Sequence, residues 1–285
     1  LCDWQTATGL DANSVSVDPG FVAVDSFAVN AVELDGAADP TPLVPLDIEG
    51  ETRHATTPDI GADEFTAPSV DAALLSFSSP TMPFAPGAQN VSVVLKNNGT
   101  ANLTSATLKW QINAVNQDSV LWMGNLASGA TATVTLGTPT FNAGTTYDLK
   151  AWSLNPNGMT DPVPANDTIE LNDLVSGLIG IYTVGGATPD FSNFTAAAAA
   201  LHAGGVVGAV TFNVRNGTYS EQISLNQILG ADSVKTVTFQ SEAGDSSLVI
   251  LTFASTLSTA NYTLRLNGTD WLRVRKMTVR ATGAT

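Results

Sequence analysis

The residues whose type and spacing most clearly allow chemistry are carboxylates near the start of the chain. Asp47-Ile48-Glu49-Gly50 alternates two acids ahead of a turn glycine, and Asp59 and Asp63 follow in the same acidic stretch. Oxygen ligands carried on turns are the kind that Ca²⁺ prefers in proteins. The sequence therefore predicts a calcium site built from Asp47, Glu49, Asp59 and Asp63, with calcium as the only cofactor expected. The twelve-residue spacing of a calcium-binding loop is absent, so solvated turn acids remain the alternative.

A second set of candidates is basic and lies near the end of the sequence. Five basic residues stand there among alternating apolar residues, as on the outward face of a strand: Arg265, Arg273, Arg275, Lys276 and Arg280. A polysaccharide hydrolase needs a pair of carboxylates, whereas Asp270 is followed by no second acid at two or three positions. Two His and one Cys also supply no regular nucleophile–base pair. We therefore predict a solvated strand face, no catalytic residue and no enzymatic activity.

Charge and composition exclude several classes of function. The net charge is −15, because 26 acidic residues face 11 basic ones. Binding to a phosphate backbone needs a cationic surface, so we expect no nucleic-acid partner. The sequence contains no run of eighteen apolar residues, which predicts no membrane insertion. The single cysteine, Cys2, excludes a disulfide within this sequence. An extracellular placement then favours a bacterial surface protein, because small secreted domains are usually disulfide-stapled.

Short alternating segments fill the last third of the chain and indicate strands. Val210-Thr211-Phe212 recurs as Val237-Thr238-Phe239 after 27 positions, and Leu264-Arg265-Leu266 stands 27 positions further on. Alternation with period two is typical of a strand with one buried face. A repeat of this length predicts the coils of a β-solenoid, each stacked on the previous one.

An alanine-rich segment, 191–203, precedes these strands and predicts a short helix. Ser192 or Asn193 would cap its start, and Gly204-Gly205 would end it. Its predicted apolar face consists of Phe194, Ala197, Ala198 and Leu201. We expect this helix to cover the open edge of the first coil, because an uncovered strand edge invites pairing with other chains.

Two stretches resemble parts of one family. The residues IYTVGGATPDFSNFTAAAAALHAGG, which start at Ile181, are similar to the N-terminal part of pectin-lyase-like, right-handed parallel β-helices. They are most similar to the versions in very large surface and secreted proteins of the Bacteroidota. Thr57-Pro58-Asp59-Ile60-Gly61 and its surroundings resemble the closing motif of the same family. The resemblance implies that residues 1–66 are the last coils and closing loop of one β-helix. Residues 181–285 would be the cap and first coils of a second one.

The middle of the chain, residues 67–173, consists of short alternating segments separated by turns. They include Val91–Lys96, Ala106–Ile112, Ala132–Leu136, Tyr147–Trp152 and Thr168–Leu171. Even spacing of this kind predicts a two-sheet β-sandwich. Its predicted core aromatics are Trp110, Trp122 and Trp152. The apolar residues 174–180 would form a short linker to the second solenoid.

The middle segment also resembles a family. VSVVLKNNGTANLTSATLKWQIN, from Val91, and YDLKAWSLNPNGMTDPVPANDTI, from Tyr147, are similar to CARDB-type immunoglobulin-like domains of bacteria. The resemblance covers nearly the whole segment. It implies a spacer or adhesion module and carries no catalytic residue with it.

These features together predict an all-β, non-enzymatic structural or adhesive module of a giant extracellular repeat protein. We expect a stiff surface fibre or appendage, exported by the type IX route of the Bacteroidota proteins that it resembles. Its partners would be copies of itself, in a fibre or homo-oligomer, or the glycans of other cells. Two alternatives remain open. One is a polysaccharide lyase or hydrolase with its catalytic coils outside this sequence, and the other is a glycan-binding adhesin that uses an exposed tryptophan.

Overall fold

The computed structural model describes residues 2–9, 14–21, 26–40 and 44–282. Across these ranges the chain is all-β, as predicted, apart from helices α1 (Cys2–Thr8) and α2 (Phe194–Gly204) and the two 3-10 turns Pro156–Gly158 and Ser258–Ala260. Neither described helix is long and apolar enough to cross a membrane. Residues 1, 10–13, 22–25, 41–43 and 283–285 of the predicted solenoid ranges lie outside the described residues.

Nineteen strands follow one another in the described part of the chain. Ten precede residue 176: β1 Ala72–Ser79, β2 Gly87–Ala88, β3 Val91–Asn97, β4 Leu103–Ile112, β5 Val115–Asn116, β6 Val120–Leu126, β7 Thr131–Gly137, β8 Thr140–Phe141, β9 Thr146–Leu154 and β10 Thr168–Val175. Nine follow it: β11 Leu178–Val184, β12 Val206–Val214, β13 Gly217–Ser220, β14 Ile223–Asn226, β15 Val237–Ser241, β16 Val249–Phe253, β17 Leu264–Asn267, β18 Leu272–Arg275 and β19 Thr278–Ala281. The predicted linker 174–180 is therefore mostly strand, with only Ser176 and Gly177 between β10 and β11.

The chain divides into two compact units. The first holds the residues up to Ser78 together with Ser92–Gly137 and Leu149–Leu171, and the second holds Ser79–Val91, Thr138–Asp148 and the residues from Asn172 onward. The predicted domain boundaries at 66 and 173 do not coincide with this division, because β1, β3, β9 and β10 each have residues in both units. Those boundaries stay predictions.

The two main sheets of the sandwich are built mostly from residues of the first unit. One has the order β1-β3-β7, and the other has the order β10-β9-β4-β5, with β6 also paired to β4. A three-stranded sheet opposite a sheet centred on β4 is typical of an immunoglobulin-like sandwich. Trp110 of β4 crosses the core, since a Cβ added to Gly137 of β7 would lie 2.7 Å from the Trp110 ring. The glycine thus admits the largest side chain of this core.

The prediction of three core tryptophans holds for one of them. Trp110 is 4% exposed, whereas Trp122 and Trp152 are only half-buried. Trp152 pairs with the exposed Lys109 across β9 and β4, so it points away from the core. Alternation explains the difference, because Ala151, the neighbour of Trp152, already takes the inward position opposite Trp110.

The N-terminal segment of the first unit lies against the sandwich. Its described residues before Ala72 form no strand, only an isolated bridge between Leu46 and Thr52. Polar contacts hold it: Glu33 pairs with Lys96 at 2.7 Å, and Asn98 donates to the carbonyl of Asn30 at 3.0 Å. The interpretation of residues 1–66 as the closing coils of a solenoid stays a prediction.

In the second unit, the strands from β11 onward form three parallel sheets. The orders are β11-β12-β15-β18, β13-β16-β19 and β14-β17. From β12 onward, the chain contributes one strand to the first, second and third sheet in turn and then returns to the first. We call one such circuit a pass. Every pair of neighbouring strands in these sheets is parallel and belongs to successive passes. Each pass therefore adds one strand to each sheet on the same side as the last.

The 27-residue repeat is correct for one step and wrong for the next. Val210 pairs with Val237 and Phe212 with Phe239, as the repeat predicts. Val237 then pairs with Leu272, whereas Leu264 lies in β17 and pairs with Ile223 of the third sheet. The physical reason is the longer connection 254–263, which includes a 3-10 turn and delays the return of the chain to the first sheet.

Side chains at paired positions stack from one pass to the next. The rings of Phe212 and Phe239 are stacked with centroids 4.5 Å apart, and Tyr182 lies 5.9 Å from Phe212 on the other side. Polar side chains also pair from one pass to the next. Gln240 donates to Asn213 at 2.9 Å, and Asn267 donates to Asn226 at 2.9 Å. Each of these donors and acceptors is paired across its ladder. The register is thus fixed by side chains inside and outside the core.

Helix α2 is confirmed where the sequence predicts it. Asn193 caps its start by accepting from the N–H of Ala196 at 2.9 Å, and Gly205 ends it at φ +67°. The predicted face is buried in the same core cluster as the strands: Phe194, Ala197, Ala198 and Leu201. Gly204 fits closely, because a Cβ there would lie 2.3 Å from the carbonyl oxygen of Ser176.

Contacts at both ends of α2 place it beside β14, the first strand of the third sheet. At the start, the Glu221 carboxylate accepts from the N–H groups of Phe194 and Thr195, where the helix dipole favours an anion. At the end, Nε2 of His202 accepts from the N–H of Asn226 in β14 at 3.1 Å. The helix therefore satisfies a backbone donor that this edge strand would otherwise leave unpaired.

We predict that Leu201→Ala lowers the free energy of unfolding of the second unit by about 2–5 kcal/mol, because Leu201 is fully buried under the helix. The matched control is Leu257→Ala, at a side chain that is 62% exposed, which should change it by less than about 0.5 kcal/mol. Denaturant unfolding followed by circular dichroism measures both. Equal losses in the two variants would show that α2 contributes nothing to the core.

Candidate metal centre

Three of the four predicted calcium ligands come together in the structure. Carboxylate oxygens of Asp47, Glu49 and Asp63 all lie within 4.8 Å of one another. Asp47 and Asp63 are half-buried and Glu49 is exposed. The turn that follows Asp47 positions this group, since Asp47 accepts from the N–H of Glu51 at 2.7 Å. We name these three residues the exposed acidic group.

The exposed acidic group is partly satisfied by the backbone. Burial acts to raise the pKa of Asp47, but backbone N–H donors, foremost those of Glu51 and Glu64, lower it below its ordinary value. The pKa of Glu49 is raised, first by burial and then by the charge of Asp63. One acid is therefore stabilised as an anion without any cation, and calcium binding at this group stays a prediction.

Asp59, the fourth predicted ligand, has a different position. It is 2% exposed and lies outside the exposed acidic group. Its two oxygens accept from the N–H groups of Gly36 and Phe65, each at 2.6 Å. Burial raises its pKa, against these two hydrogen bonds. Asp59 thus joins separate turns of the N-terminal segment.

A second carboxylate group lies inside the first unit and escaped sequence reasoning. Asp71, Asp161 and Asp167 have carboxylate oxygens within 4.8 Å of one another, and Asp71 and Asp167 are buried. Asp71 directly precedes β1, and Asp167 directly precedes β10. We name these three residues the buried acidic group. It forms where the two sheets of the sandwich begin these strands.

Neutral donors surround the buried acidic group. Oδ2 of Asp71 accepts from the side-chain amides of Asn98 at 2.9 Å and Asn166 at 3.1 Å. Oδ2 of Asp161 accepts from the N–H of Ala72 at 2.9 Å, and Oδ1 of Asp167 accepts from the hydroxyl of Ser153 at 3.1 Å. None of these donors carries a charge, so they orient the carboxylates without neutralising them.

Electrostatics of the buried acidic group favour protonation. Burial, then the charge of Asp161 and, more weakly, that of Asp71 raise the pKa of Asp167 to about 7, against the hydrogen bond from Ser153. Burial also raises the pKa of Asp71, which the amides of Asn98 and Asn166 oppose. The charge of Lys96 also lowers the pKa of Asp71, but only weakly, and its ammonium is paired with Glu33 at 2.7 Å. Three like charges in one interior site are thus costly without a cation.

Both acidic groups offer the chemistry of a hard-cation site. Carboxylate and amide oxygens bind Ca²⁺ or Mg²⁺, whereas the absence of thiolate or imidazole ligands in either group disfavours zinc. The arrangement supports cation binding and structural cross-linking.

Comparisons with known proteins find similarity only at the level of structure. No family model matches the sequence. No curated protein matches it either. The chain is similar to the CARDB domain of the PF1109 protein from Pyrococcus furiosus, determined in complex with di-metal ions, at 18% identity over 39% of this chain and 98% of that one, with a TM-score of 0.32.

A second similar structure is a domain from Methanosarcina acetivorans, of a protein named as a putative cell surface protein. It shares 16% identity over 35% of this chain and 87% of that one, with a TM-score of 0.29. Because both TM-scores are below 0.5, these similarities decide nothing about the function of this chain.

We predict that, in chelator, the free energy of unfolding of the wild-type chain falls as the pH rises from about 4 to about 7. Folded Asp167 keeps its proton up to about pH 7, while the unfolded carboxyl loses it near its ordinary pKa of 3.8. The folded state then binds more protons, so stability decreases with pH. Asp167→Asn should lose this part of the slope and gain stability relative to wild type between pH 4 and 8.

Urea unfolding at several pH values measures this difference. Asp118→Asn, at an exposed aspartate of the same unit, is the control and should keep the wild-type slope. Parallel slopes for wild type and Asp167→Asn would contradict the prediction.

Proposed function

We propose that this chain is a non-enzymatic structural and adhesive module of a large extracellular protein, in which right-handed parallel β-helices alternate with an immunoglobulin-like sandwich. The observation that carries the proposal is the cyclic order of the parallel strands in the second unit, with matching register from pass to pass. Coils of this kind form long, stiff rods because each one stacks on its neighbour.

The family resemblance adds to this proposal. The coils and the helix α2 fit the start of a pectin-lyase-like β-helix of the kind found in Bacteroidota surface proteins. The sandwich fits a CARDB-type spacer, since its two sheets have an immunoglobulin-like order. A protein of this design would be secreted to the cell surface by the type IX route, and it would bind copies of itself or other cells through its long sides.

The basic residues of the last passes support structure over catalysis. Nε of Arg265 donates to the hydroxyl of Ser224 at 3.2 Å, its partner across the ladder from β17 to β14. Arg273 donates to the hydroxyl of Thr236 at 2.7 Å. Both guanidinium groups thus join one pass of the chain to the previous one. These contacts fit the proposed structural role, in which arginine side chains hold neighbouring coils together.

The second candidate function is glycan binding by the sandwich, and one observation favours it. Trp152 is half-buried on the outer face of its sheet, and it lines a surface pocket with Lys109, Asn116, Gln117 and Asp118. Sugars stack on aromatic faces flanked by such polar groups. Trp110 lines the same pocket but is only 4% exposed, so Trp152 is the residue to replace when glycan binding is tested.

The proposed surface placement is tested by labelling cells that produce the native protein. Antibodies raised against the full chain should label intact cells as strongly as permeabilised ones, because an extracellular module is accessible from outside. The control is an antibody against a cytoplasmic protein of the same cells, which should label only permeabilised ones. Labelling that needs permeabilisation would overturn the extracellular role.

A further inference from the structure

The buried acidic group brings together carboxylates that are far apart in the sequence. Asp71 is 0% exposed and Asp167 is 7% exposed, and Asp161 completes the set with oxygens within 4.8 Å. Residues this deeply buried are rarely charged unless they are paired or coordinate a metal. The described contacts of the group supply only amide and hydroxyl donors.

Unpaired oxygens in the same place point to a missing ligand. Oδ1 of Asp71 is buried and has no hydrogen-bond partner, although Oδ2 of the same carboxylate accepts two bonds. Oδ1 of Asn166 is likewise buried and unpaired, although the Nδ2 of that amide donates to Asp71. Native proteins leave few buried acceptors unsatisfied, because each one loses its hydrogen bonds to water and gains none in return. An unpaired oxygen in one of the three carboxylates and another in the neighbouring amide of Asn166 are what a cation-binding site requires.

We propose that Asp71, Asp161 and Asp167 bind a calcium ion, with Oδ1 of Asn166 as a further ligand. The donor set is made of oxygen, which a hard cation requires. Ligands at 2.3–2.6 Å from Ca²⁺ lie at most about 5 Å apart, so carboxylate oxygens that all lie within 4.8 Å of one another can share one ion. Mg²⁺ is smaller, demands near-ideal octahedral geometry and loses its water ligands reluctantly, so a site made of several protein oxygens favours the larger Ca²⁺.

The ion would join the two sheets of the sandwich. Asp71 leads into β1 of the first sheet, and Asp161 and Asp167 lie in the connection that leads into β10 of the second. Asn98, which orients Asp71, also donates to the carbonyl of Asn30 in the N-terminal segment. Calcium binding would therefore hold three separate parts of the first unit in one place and neutralise their repulsion.

The test measures calcium binding and thermal unfolding on the full chain after dialysis against chelator. Added Ca²⁺ should raise the midpoint of unfolding of wild type, because a ligand that binds only the folded state stabilises it. Equilibrium dialysis with radioactive calcium gives the affinity and stoichiometry. In Asp167→Asn, calcium binding should weaken by more than about 100-fold, beyond what loss of an outer partner of a metal ligand costs.

Asp47→Asn is the matched control, because it removes one carboxylate from the exposed acidic group instead. It should keep the calcium-induced rise in the unfolding midpoint. Asp161→Asn is the second variant, and it should lose the rise as Asp167→Asn does. If Asp167→Asn does not fold, Asp161→Asn decides the question alone.

Three results would overturn the proposal. One is a wild-type chain that binds no calcium at millimolar concentration. Another is loss of the effect in Asp47→Asn with retention in Asp167→Asn and Asp161→Asn, which would assign binding to the exposed acidic group. The third is tighter binding of Mg²⁺ than of Ca²⁺, which would contradict the size argument.

Discussion

The second unit depends on the pairing of backbone groups at the open edges of its parallel sheets. A parallel sheet that starts with an uncovered strand presents free N–H and C=O groups, and these recruit other chains. Helix α2 meets this constraint at β14: His202 accepts from Asn226, and Glu221 holds the other end of the helix. Once the first edge is covered, each later strand finds its partner in the previous pass.

The register of the parallel strands is maintained by contacts between side chains at paired positions. Phe212 stacks on Phe239 inside the core, while Gln240 bonds Asn213 at the next position along the ladder. A slip by one residue would bring the polar pair into the core and the rings out of it. The stack can thus tolerate connections of different length, because pairing is decided at the strands and not in the loops.

The first unit is subject to a different physical constraint. Charged side chains in its interior must be neutralised or hydrogen-bonded. Glu33 and Lys96 neutralise each other, and Asp59 is satisfied by two backbone donors. The buried acidic group is the exception, because its donors are neutral and two acceptors nearby have no partner. Calcium would resolve this exception in the same way that Lys96 resolves the charge of Glu33. The sandwich and the coils would then be stiffened by separate means.

Sequence reasoning succeeded where the pattern is local. Alternation located the strands, and the alanine run with Asn193 and Gly205 gave both ends of α2. It failed where the answer depends on the tertiary fold. The connection 254–263 changes the repeat length without changing the strand pattern, so the 27-residue repeat places Leu264 in the wrong sheet. Asp71 and Asp167 stand in no common motif and meet only when the sandwich closes, whereas Asp47 and Glu49 share one turn.

We propose that these stacked parallel strands and the sandwich belong to a stiff extracellular fibre. Electron microscopy of the native, full-length protein in calcium-containing buffer tests it most directly, because stacked modules and isolated domains differ in shape at low resolution. The account predicts regular, elongated fibres made of several chains. Dispersed, compact single particles would contradict it.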